Sequence, residues 1–352
     1  MEAKKSRAGQ GVTIHDVARH AGVSSMTVSR VINKNVNVRE PLREKVMASI
    51  KALNYTMNMA ARSTRAGVGG MRIGILYSHP SASYLNEIML GGLEQASKLG
   101  AQLLLEKCGG LQSQKTAVKR LLAAGVDGVI LPPPLCDSAP TVKMLQGEGV
   151  AVLALATARP LPEVSAVHID DFQGALALTR HLIKLGHTRI AFIKGDPSHT
   201  PTEVRYEGFL KGLAEAHLPL IGDFVIQGQF TYKSGLEAGH MLLERKDRPT
   251  AIFASNDDMA AAVMAVAHGL RISVPEDLSI CGFDDTPVAS TIWPQLTTIH
   301  QPIVAMGRSA VATIFEKIKE TKSGVEKRPV HQLMKFTLMD RGSTGPAPRR
   351  KK

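Results

Sequence analysis

Two polar runs and one arginine in the second half of the chain carry side chains that could bind a small polar molecule. Ser255–Asp258 follows one apolar run, Phe283–Thr286 follows another, and Arg205 opens a third polar segment. An arginine and carboxylates can grip neighbouring hydroxyl groups, and paired carboxylates could also act as general acid and base. Asn256 could equally cap a helix. These residues predict a polar site without fixing its chemistry.

From Arg72 onward, apolar strands alternate with amphipathic helices, and these elements must position the polar runs. The pattern predicts two doubly wound parallel sheets, each in its own lobe, with helices on both faces and a ligand cleft between the lobes at the carboxyl ends of the strands. The predicted strands are 73–77, 103–105, 128–131, 150–155, 189–193, 224–226, 251–254, 278–282 and one near 330–337. The predicted helices are 85–99, 113–124, 139–147, 172–185, 203–214, 234–244, 259–268 and 304–319.

The stretch before this body, residues 12–57, predicts three short helices. Thr13 and Asp16 form a capping-box-like start, and Gly22 permits a sharp turn before Ser24 caps a second helix. The third helix follows Pro41 and carries one apolar stripe, formed by Leu42, Val46, Ile50 and Leu53. The second helix leaves small polar groups and an arginine outside, which is typical of a helix that enters a DNA major groove.

The charge of the chain is concentrated at its ends. The formal net charge is +12; residues 1–72 hold 13 Lys/Arg against 4 Asp/Glu, and residues 341–352 hold 5 Lys/Arg and no acid. A basic head on a nearly neutral body favours an anionic polymer as partner, because each phosphate contact releases counterions.

Sequence patterns that would indicate other classes of protein are missing. Cys108, Cys136 and Cys281 match no metal-ligand spacing and predict free thiols in a reducing cytoplasm. No membrane-length apolar run or signal-peptide core occurs. Without a metal cluster, nucleophile motif or glycine-rich phosphate loop, we expect no cofactor, no metal and no enzymatic activity.

The run Thr13-Ile14-x-Asp16-Val17-Ala18-x-x-Ala21-Gly22-Val23-Ser24-x-x-Thr27-Val28-Ser29-Arg30-Val31-Ile32-Asn33, followed by Arg43–Val46 and Leu53–Tyr55, resembles the LacI/GalR family of bacterial repressors. The resemblance implies a dimeric helix-turn-helix regulator on a near-palindromic DNA operator. It assigns base contacts to Ser25, Met26 and Arg30, with Arg30 as guanine reader and Met26 limited to apolar contact. Phosphate contacts fall to Thr27, Ser29 and Asn33, and Arg39 stands where relatives have a helix cap. The full expected DNA-contacting set is Thr13, Ser24, Ser25, Met26, Thr27, Ser29, Arg30, Asn33, Arg39, Tyr55, Asn58, Ala61, Arg62 and Thr64.

Residues 58–71 match the family's hinge helix and linker. The resemblance places Ala61 and Arg62 in the minor groove. Family members usually insert a leucine of the hinge between the central base pairs, and the matching residue of this chain is Thr64. Threonine is a poor apolar wedge, so this departure predicts a smaller or differently made operator kink.

The resemblance also implies an effector site between the lobes. Arg205 matches the clamping arginine, Asn256 an amide contact, Asp284 a carboxylate and Phe230 an aromatic platform. Gln301 lies where the chain returns to the first lobe, and Ser78 and Tyr84 would line the opposite wall. Many members place an aspartate after the strand 150–155, where this chain has Ala156 and Thr157. Asp170 could supply that carboxylate, or it could only end its strand.

The expected organisation is a disordered arm 1–11, a helix-turn-helix domain 12–57, the hinge 58–71, an effector and dimerisation domain 72–340 and a basic disordered tail 341–352. Lobe one would comprise about 72–169 and 301–326, and lobe two about 170–300 and 327–340. The favoured function is a cytoplasmic homodimeric repressor of a carbohydrate operon, nucleoid-associated when bound, without membrane contact, and controlled by a saccharide. The alternatives are a purine-like corepressor, a solute-binding receptor, and an enzyme acting on a sugar or nucleoside.

Overall fold

The computed structural model describes residues 14–32, 39–53, 70–78, 81–324 and 328–348. The chain divides into two compact units, Met1–Gly69 and Gly70–Lys352. The predicted arm 1–11 and almost all of the predicted hinge 58–71 lie outside the described residues. No helix in the described ranges has the length and apolar character needed to span a membrane.

The first unit contains helices α1 (Ile14–Ala21), α2 (Ser25–Ile32) and α3 (Glu40–Ala52). Its core includes Val17, Val28 and Val46, one from each helix. The turn forms as predicted: Gly22 has φ +63°, and the backbone N–H of Thr27 donates to Ser24 Oγ over 3.2 Å. The predicted stripe of α3 is wrong at Leu42, which lies in the first turn of the helix and is exposed. Ser49 is buried instead, because its hydroxyl ties α3 to His20 of α1 over 3.0 Å.

Lobe one of the second unit is a six-stranded parallel sheet in the order β11-β5-β4-β3-β1-β2. Its strands are Arg72–Tyr77 (β1), Gln102–Lys107 (β2), Gly128–Leu131 (β3), Ala151–Leu155 (β4), Ser165–Ile169 (β5) and His331–Met334 (β11). The helices of this part are Ala82–Leu99 (α4), Leu111–Ala123 (α5), Ala139–Gly147 (α6) and Ile303–Ser323 (α12). Strand β5 was not predicted, although it is almost fully buried.

Lobe two is a four-stranded parallel sheet in the order β7-β6-β8-β9. Its strands are Ile190–Lys194 (β6), Val225–Gln227 (β7), Ala251–Ala254 (β8) and Ser279–Cys281 (β9). Its helices are Asp171–Lys184 (α7), Thr200–Glu215 (α8), Tyr232–Leu243 (α9), Asp257–Gly269 (α10) and the short Pro287–Thr291 (α11). The predicted pair of parallel sheets is therefore confirmed. In both lobes the apolar strand runs form the buried layer, and the polar runs follow their carboxyl ends.

The predicted lobe boundary at residue 327 is wrong. Strand β11 pairs in parallel with β5 of lobe one, with His331 opposite Ala166. The backbone N–H of Val330 also donates to Ser165 Oγ over 3.1 Å. Thr337–Met339 (β12) then pairs antiparallel with Thr298–His300 (β10). The chain therefore leaves lobe one for the last time between β11 and β12. The single strand predicted near 330–337 is in fact two strands.

The expectation of a disordered tail from residue 341 is also wrong for residues 341–348. Ser343 is fully buried; its hydroxyl donates to the Ile280 carbonyl over 2.6 Å and accepts from the Thr297 N–H over 2.8 Å. Further along, Gly345 N–H donates to Ser279 Oγ over 3.0 Å. The segment extends lobe two beside β9 because its backbone satisfies polar groups that would otherwise be buried unpaired.

We expect Ser343→Ala to lower the free energy of unfolding by about 1–3 kcal/mol, because it leaves the buried Thr297 N–H without an acceptor. The exposed Ser290→Ala is the matched control, and its own hydroxyl only donates within α11. Chemical denaturation followed by circular dichroism measures both. Equal stability of the two variants would contradict a structural role for this segment.

Candidate functional site

The centre of the candidate site is Arg205, in the second turn of α8. Its side chain is buried, and Nε donates to Asp171 Oδ1 over 2.7 Å while Nη1 donates to the Ser255 carbonyl over 2.5 Å. Nη1 also lies 3.4 Å from Asp284 Oδ1, and the guanidinium stacks 3.7 Å from the Phe283 ring centroid. Two carboxylates and an aromatic face therefore fix the guanidinium in one orientation.

Asp171 was not predicted, and it takes the place in the site that the sequence suggested for Asp170. The Asp170 side chain caps α7, accepting from the Gln173 N–H over 2.9 Å, and Asp170 is not among the residues that line the cleft. The consecutive aspartates Asp170 and Asp171 after β5 could have indicated this role in the sequence. When Asp170 caps the helix, Asp171 is its first residue and can face Arg205. Burial raises the pKa of Asp171, and Arg205 opposes that shift.

Asp284 lies in the loop that follows β9 and has φ 111°, a left-handed conformation that L residues adopt rarely. Gln301 Nε2 donates to its Oδ1 over 2.6 Å. Burial raises the pKa of Asp284 to about 7, although Arg205 and Gln301 both favour the charged form. Gln301 is buried and does not line the cleft, so the structure gives it the part of orienting Asp284.

Asn256 and Phe230 form the neighbouring wall. Asn256 Oδ1 accepts from the Met259 N–H over 3.0 Å, which caps α10, and its Nδ2 donates to the Phe230 carbonyl over 3.1 Å. Phe230 has φ 56°, and its ring stacks on His199 with centroids 5.2 Å apart. Gly195 permits this arrangement, because a Cβ at that position would overlap the Phe230 ring. Asn256 is therefore both a helix cap and part of the wall.

These side chains line a cleft between the lobes with a cavity of about 50 Å³. Tyr84, Arg205, Phe230, Asn256 and Asp284 were predicted to line it and do so, whereas Ser78, Asp170 and Gln301 are not among the lining residues. The sequence missed Ser81, Pro133, His199 and Pro201, whereas Ala156 lines the cleft at the position where many family members have an aspartate. Burial raises the pKa of Tyr84 well above its usual value, so its hydroxyl stays protonated and can donate.

Polar contacts join the lobes around this cleft. Thr200, the first residue of α8, donates through its N–H and hydroxyl to Asp137 Oδ2 of lobe one, over 3.0 and 2.9 Å. Ser81 Oγ donates to Asp258 Oδ2 over 2.5 Å. At the periphery, Arg159 Nη2 lies 2.6 Å from Glu207 Oε1. Asp137, Asp258 and Glu207 thus fix how far the two lobes are apart.

In the first unit, the predicted base-reading side chains of α2 lie at its surface. Met26 is 64% exposed, Arg30 is exposed and Ser25 is half-buried. Ser24 and Thr27 bond each other's hydroxyls over 2.9 Å, and Arg39 precedes α3 without a side-chain capping bond. Ser29 belongs to α2. The remaining predicted contacts lie outside the described residues, namely Thr13, Asn33, Tyr55, Asn58, Ala61, Arg62 and Thr64.

The chain combines a helix-turn-helix unit with a two-lobed domain that has a polar, partly aromatic cleft. This combination is typical of the class of ligand-responsive DNA-binding proteins. Two family models match: bacterial regulatory proteins of the lacI family over residues 13–58, and the periplasmic binding protein-like domain over residues 179–344. The HTH-type transcriptional repressor PurR of Photorhabdus laumondii is 35% identical over 91% of this chain and 94% of that protein. PurR of Yersinia pestis is 34% identical over 96% and 98%.

Two solved structures are similar to this protein over almost the whole chain. The Lac repressor dimer bound to operator and the anti-inducer ONPF has a TM-score of 0.75 at 31% identity, covering 96% of this chain and 100% of that one. The transcriptional regulator CelR in complex with cellobiose has a TM-score of 0.70 at 31% identity, covering 94% and 99%. The chain belongs to the lacI family of bacterial regulatory proteins. It is a DNA-binding transcriptional repressor, and its relatives are repressors and not enzymes.

We expect the contribution of Asp284 to the thermal stability of the effector domain to fall as pH rises from about 4 to about 7. The pKa of Asp284 is raised to about 7, so over this interval the folded state keeps a proton that the unfolded state releases, and unfolding becomes easier. Asp284→Asn lacks this titration and, since asparagine tolerates left-handed backbone, should keep the fold.

The melting temperature of both proteins, measured from pH 5 to 8 at constant ionic strength, tests this expectation. The melting temperature of the wild type should fall relative to that of the variant up to about pH 7. Above pH 7 the difference between the two melting temperatures should stay constant. Parallel profiles across the whole range would show that Asp284 is already ionised at pH 5.

Proposed function

We propose that this repressor changes its operator affinity when a small saccharide binds in the cleft between the lobes. The observation that carries the proposal is the buried Arg205 held by Asp171 and Asp284 beside the Phe230 ring. Such an arrangement offers paired donors and acceptors to neighbouring hydroxyls and an apolar surface to a ring face. A wrong ligand would leave these buried groups unpaired, which makes the site selective.

The DNA-reading half of the proposal rests on α2. Its exposed residues include Met26 and Arg30, and the Ser24 cap fixes the helix start. An arginine can donate in bidentate fashion to guanine in the major groove, whereas methionine offers only apolar contact, for instance to a thymine methyl group. Thr27 and Ser29 would hold phosphates, which position the helix without reading sequence.

We expect Arg30→Ala to weaken operator binding about 5- to 150-fold and to remove most of its sequence specificity, because one bidentate base contact is worth about 1–3 kcal/mol. Fluorescence anisotropy with a selected operator and a scrambled duplex measures the change. Arg19→Ala removes the same charge from the exposed face of α1 and serves as control. If Arg30→Ala retained the preference for operator over scrambled DNA, the proposed reading helix would be refuted.

Ligand control would act through closure of the lobes. The cleft is lined from both sides, with Tyr84 and Pro133 on lobe one and Phe230 and Asn256 on lobe two. A ligand that contacts both walls binds the closed arrangement better than an open one, so it shifts the population toward closure. In a dimer this shift would alter how the two DNA-binding units are spaced on a near-palindromic operator.

A purine-like corepressor is the second candidate, and the full-length similarity to PurR at 34–35% identity favours it. The cleft supports it too, since Tyr84, His199 and Phe230 are ring-bearing side chains that could flank a planar base. Arg205 and Asp284 would then pair with the base edge. The likeness to the CelR–cellobiose complex supports the saccharide at a similar level of identity.

We expect Arg205→Lys to weaken effector binding at least tenfold while operator affinity without effector stays unchanged. Lysine keeps the charge that compensates the two carboxylates but loses the planar fork. A thermal-shift screen of mono- and disaccharides, hypoxanthine and guanine identifies the effector, and anisotropy on the operator then measures its effect.

Arg180→Lys is the matched control, since Arg180 also donates through Nε and Nη2 to a carboxylate, Glu215, but on the surface of lobe two. An undiminished effector response of Arg205→Lys would refute the role given to Arg205. A response to bases and to no sugar would replace the saccharide by the purine.

A homodimer is the proposed assembly, because lobe one exposes apolar side chains on a helix face and on a sheet edge. Leu90 and Leu93 of α4 are 60% and 53% exposed, and Leu105 lies on the edge strand β2. A second copy covering this face would bury apolar surface that monomers rarely expose together. The DNA partner makes the bacterial nucleoid, in the cytoplasm, the proposed location.

A further inference from the structure

We infer that the cleft is built for an uncharged ligand and excludes phosphorylated ones such as sugar phosphates and nucleotides. This inference rests on the proposed function, since it concerns the effector of the same cleft. Proteins usually hold a phosphate with an arginine fork, with the free N–H groups at a helix start, or with both. In the described part of this cleft, protein carboxylates already contact the arginine and lie at the helix starts.

Arg205 is the one arginine among the described residues that line the cleft, and protein groups already bind its guanidinium. It serves two buried carboxylates, Asp171 and Asp284, as well as the Ser255 carbonyl. A phosphate beside this group would face two acids and one cation. The raised pKa of Asp284 shows that the site already resists a second negative charge. Nη2 of Arg205 has no protein partner among the described residues, which suits a neutral acceptor such as a hydroxyl or carbonyl oxygen.

The start of α8 is closed by a carboxylate from the opposite lobe. Asp137 accepts from both the N–H and the hydroxyl of Thr200. Pro201 has no N–H, and the N–H of Thr202 donates to the His199 carbonyl over 3.0 Å. The positive end of this helix dipole is therefore neutralised by a protein acid when the lobes are together.

The starts of α4 and α10 share another carboxylate, Asp258. It lies in the first turn of α10 and accepts from Ser81 Oγ, the residue that precedes α4. The adjacent Asp257 also belongs to the first turn of α10, and Asn256 Oδ1 takes the N–H of Met259. An anionic ligand at either helix start would approach Asp258 directly.

The experiment compares inorganic phosphate and matched pairs of compounds: ribose with ribose 5-phosphate, glucose with glucose 6-phosphate, and guanosine with guanosine monophosphate. Thermal shift and calorimetry on the full chain, at constant ionic strength set with chloride, report binding. We expect no saturable response of the wild type to phosphate or to any phosphorylated member. Asp258→Asn, which keeps an oxygen acceptor for Ser81, should give saturable phosphate binding under the conditions in which the wild type gives none.

Glu237→Gln, on the exposed face of α9, makes the same change of charge away from the cleft and should behave as the wild type. Saturable binding of phosphate or a sugar phosphate to the wild type, tighter than that of the unphosphorylated partner, would overturn the inference. So would an Asp258→Asn variant that responds no better than Glu237→Gln. Failure of every unphosphorylated compound would instead count against the proposed effector classes, while the phosphate titrations decide the charge argument separately.

Discussion

The buried Arg205 is the constraint on which the rest of the ligand site depends. A guanidinium in an apolar interior is costly unless its charge is compensated, and here Asp171 and Asp284 compensate it from two different elements. Removing one partner of such a group costs about 3–5 kcal/mol. Helix α8, the start of α7 and the end of β9 must therefore keep their relative positions, and this fixes the floor of the cleft before any ligand arrives.

The same constraint explains the unusual backbone of the neighbouring loops. Asp284 and Phe230 both adopt positive φ, and each is held by a side-chain contact, from Gln301 to the Asp284 carboxylate and from Asn256 to the Phe230 carbonyl. Strain of this kind persists only where surrounding contacts determine it. Gln301 and Asn256 therefore support the two residues of positive φ, and Asn256 lines the cleft as well.

Much of this arrangement could be predicted from the sequence, because apolar runs and turn residues determine which segments become strands and where their polar ends lie. Strand β5 escaped prediction because Ser165 and His168 interrupt its apolar pattern, and Asp171 was missed with it, since the reading of Asp170-Asp171 depends on where that strand ends. The segment 341–348 looked like a polar tail because the burial of Ser343 follows only from a tertiary contact with Thr297 and Ile280. His199 and Pro201 line the cleft because lobe one lies opposite them, and that pairing is not local in sequence.

In the proposed mechanism, helix α8 takes part both in closure of the lobes and in recognition of the ligand. Within two turns it carries Thr200, which bonds Asp137 of the opposite lobe, Pro201, which lines the cleft, and Arg205, which anchors the floor. A ligand shifts an equilibrium only by its difference in affinity for the two states. The contact between Thr200 and Asp137 forms only when the lobes meet, so it stabilises the closed state even without a ligand. The effector then has to supply only the rest of the free-energy difference between the open and closed states. Stronger contacts between the lobes would raise effector affinity and at the same time reduce the range over which the effector can change operator binding.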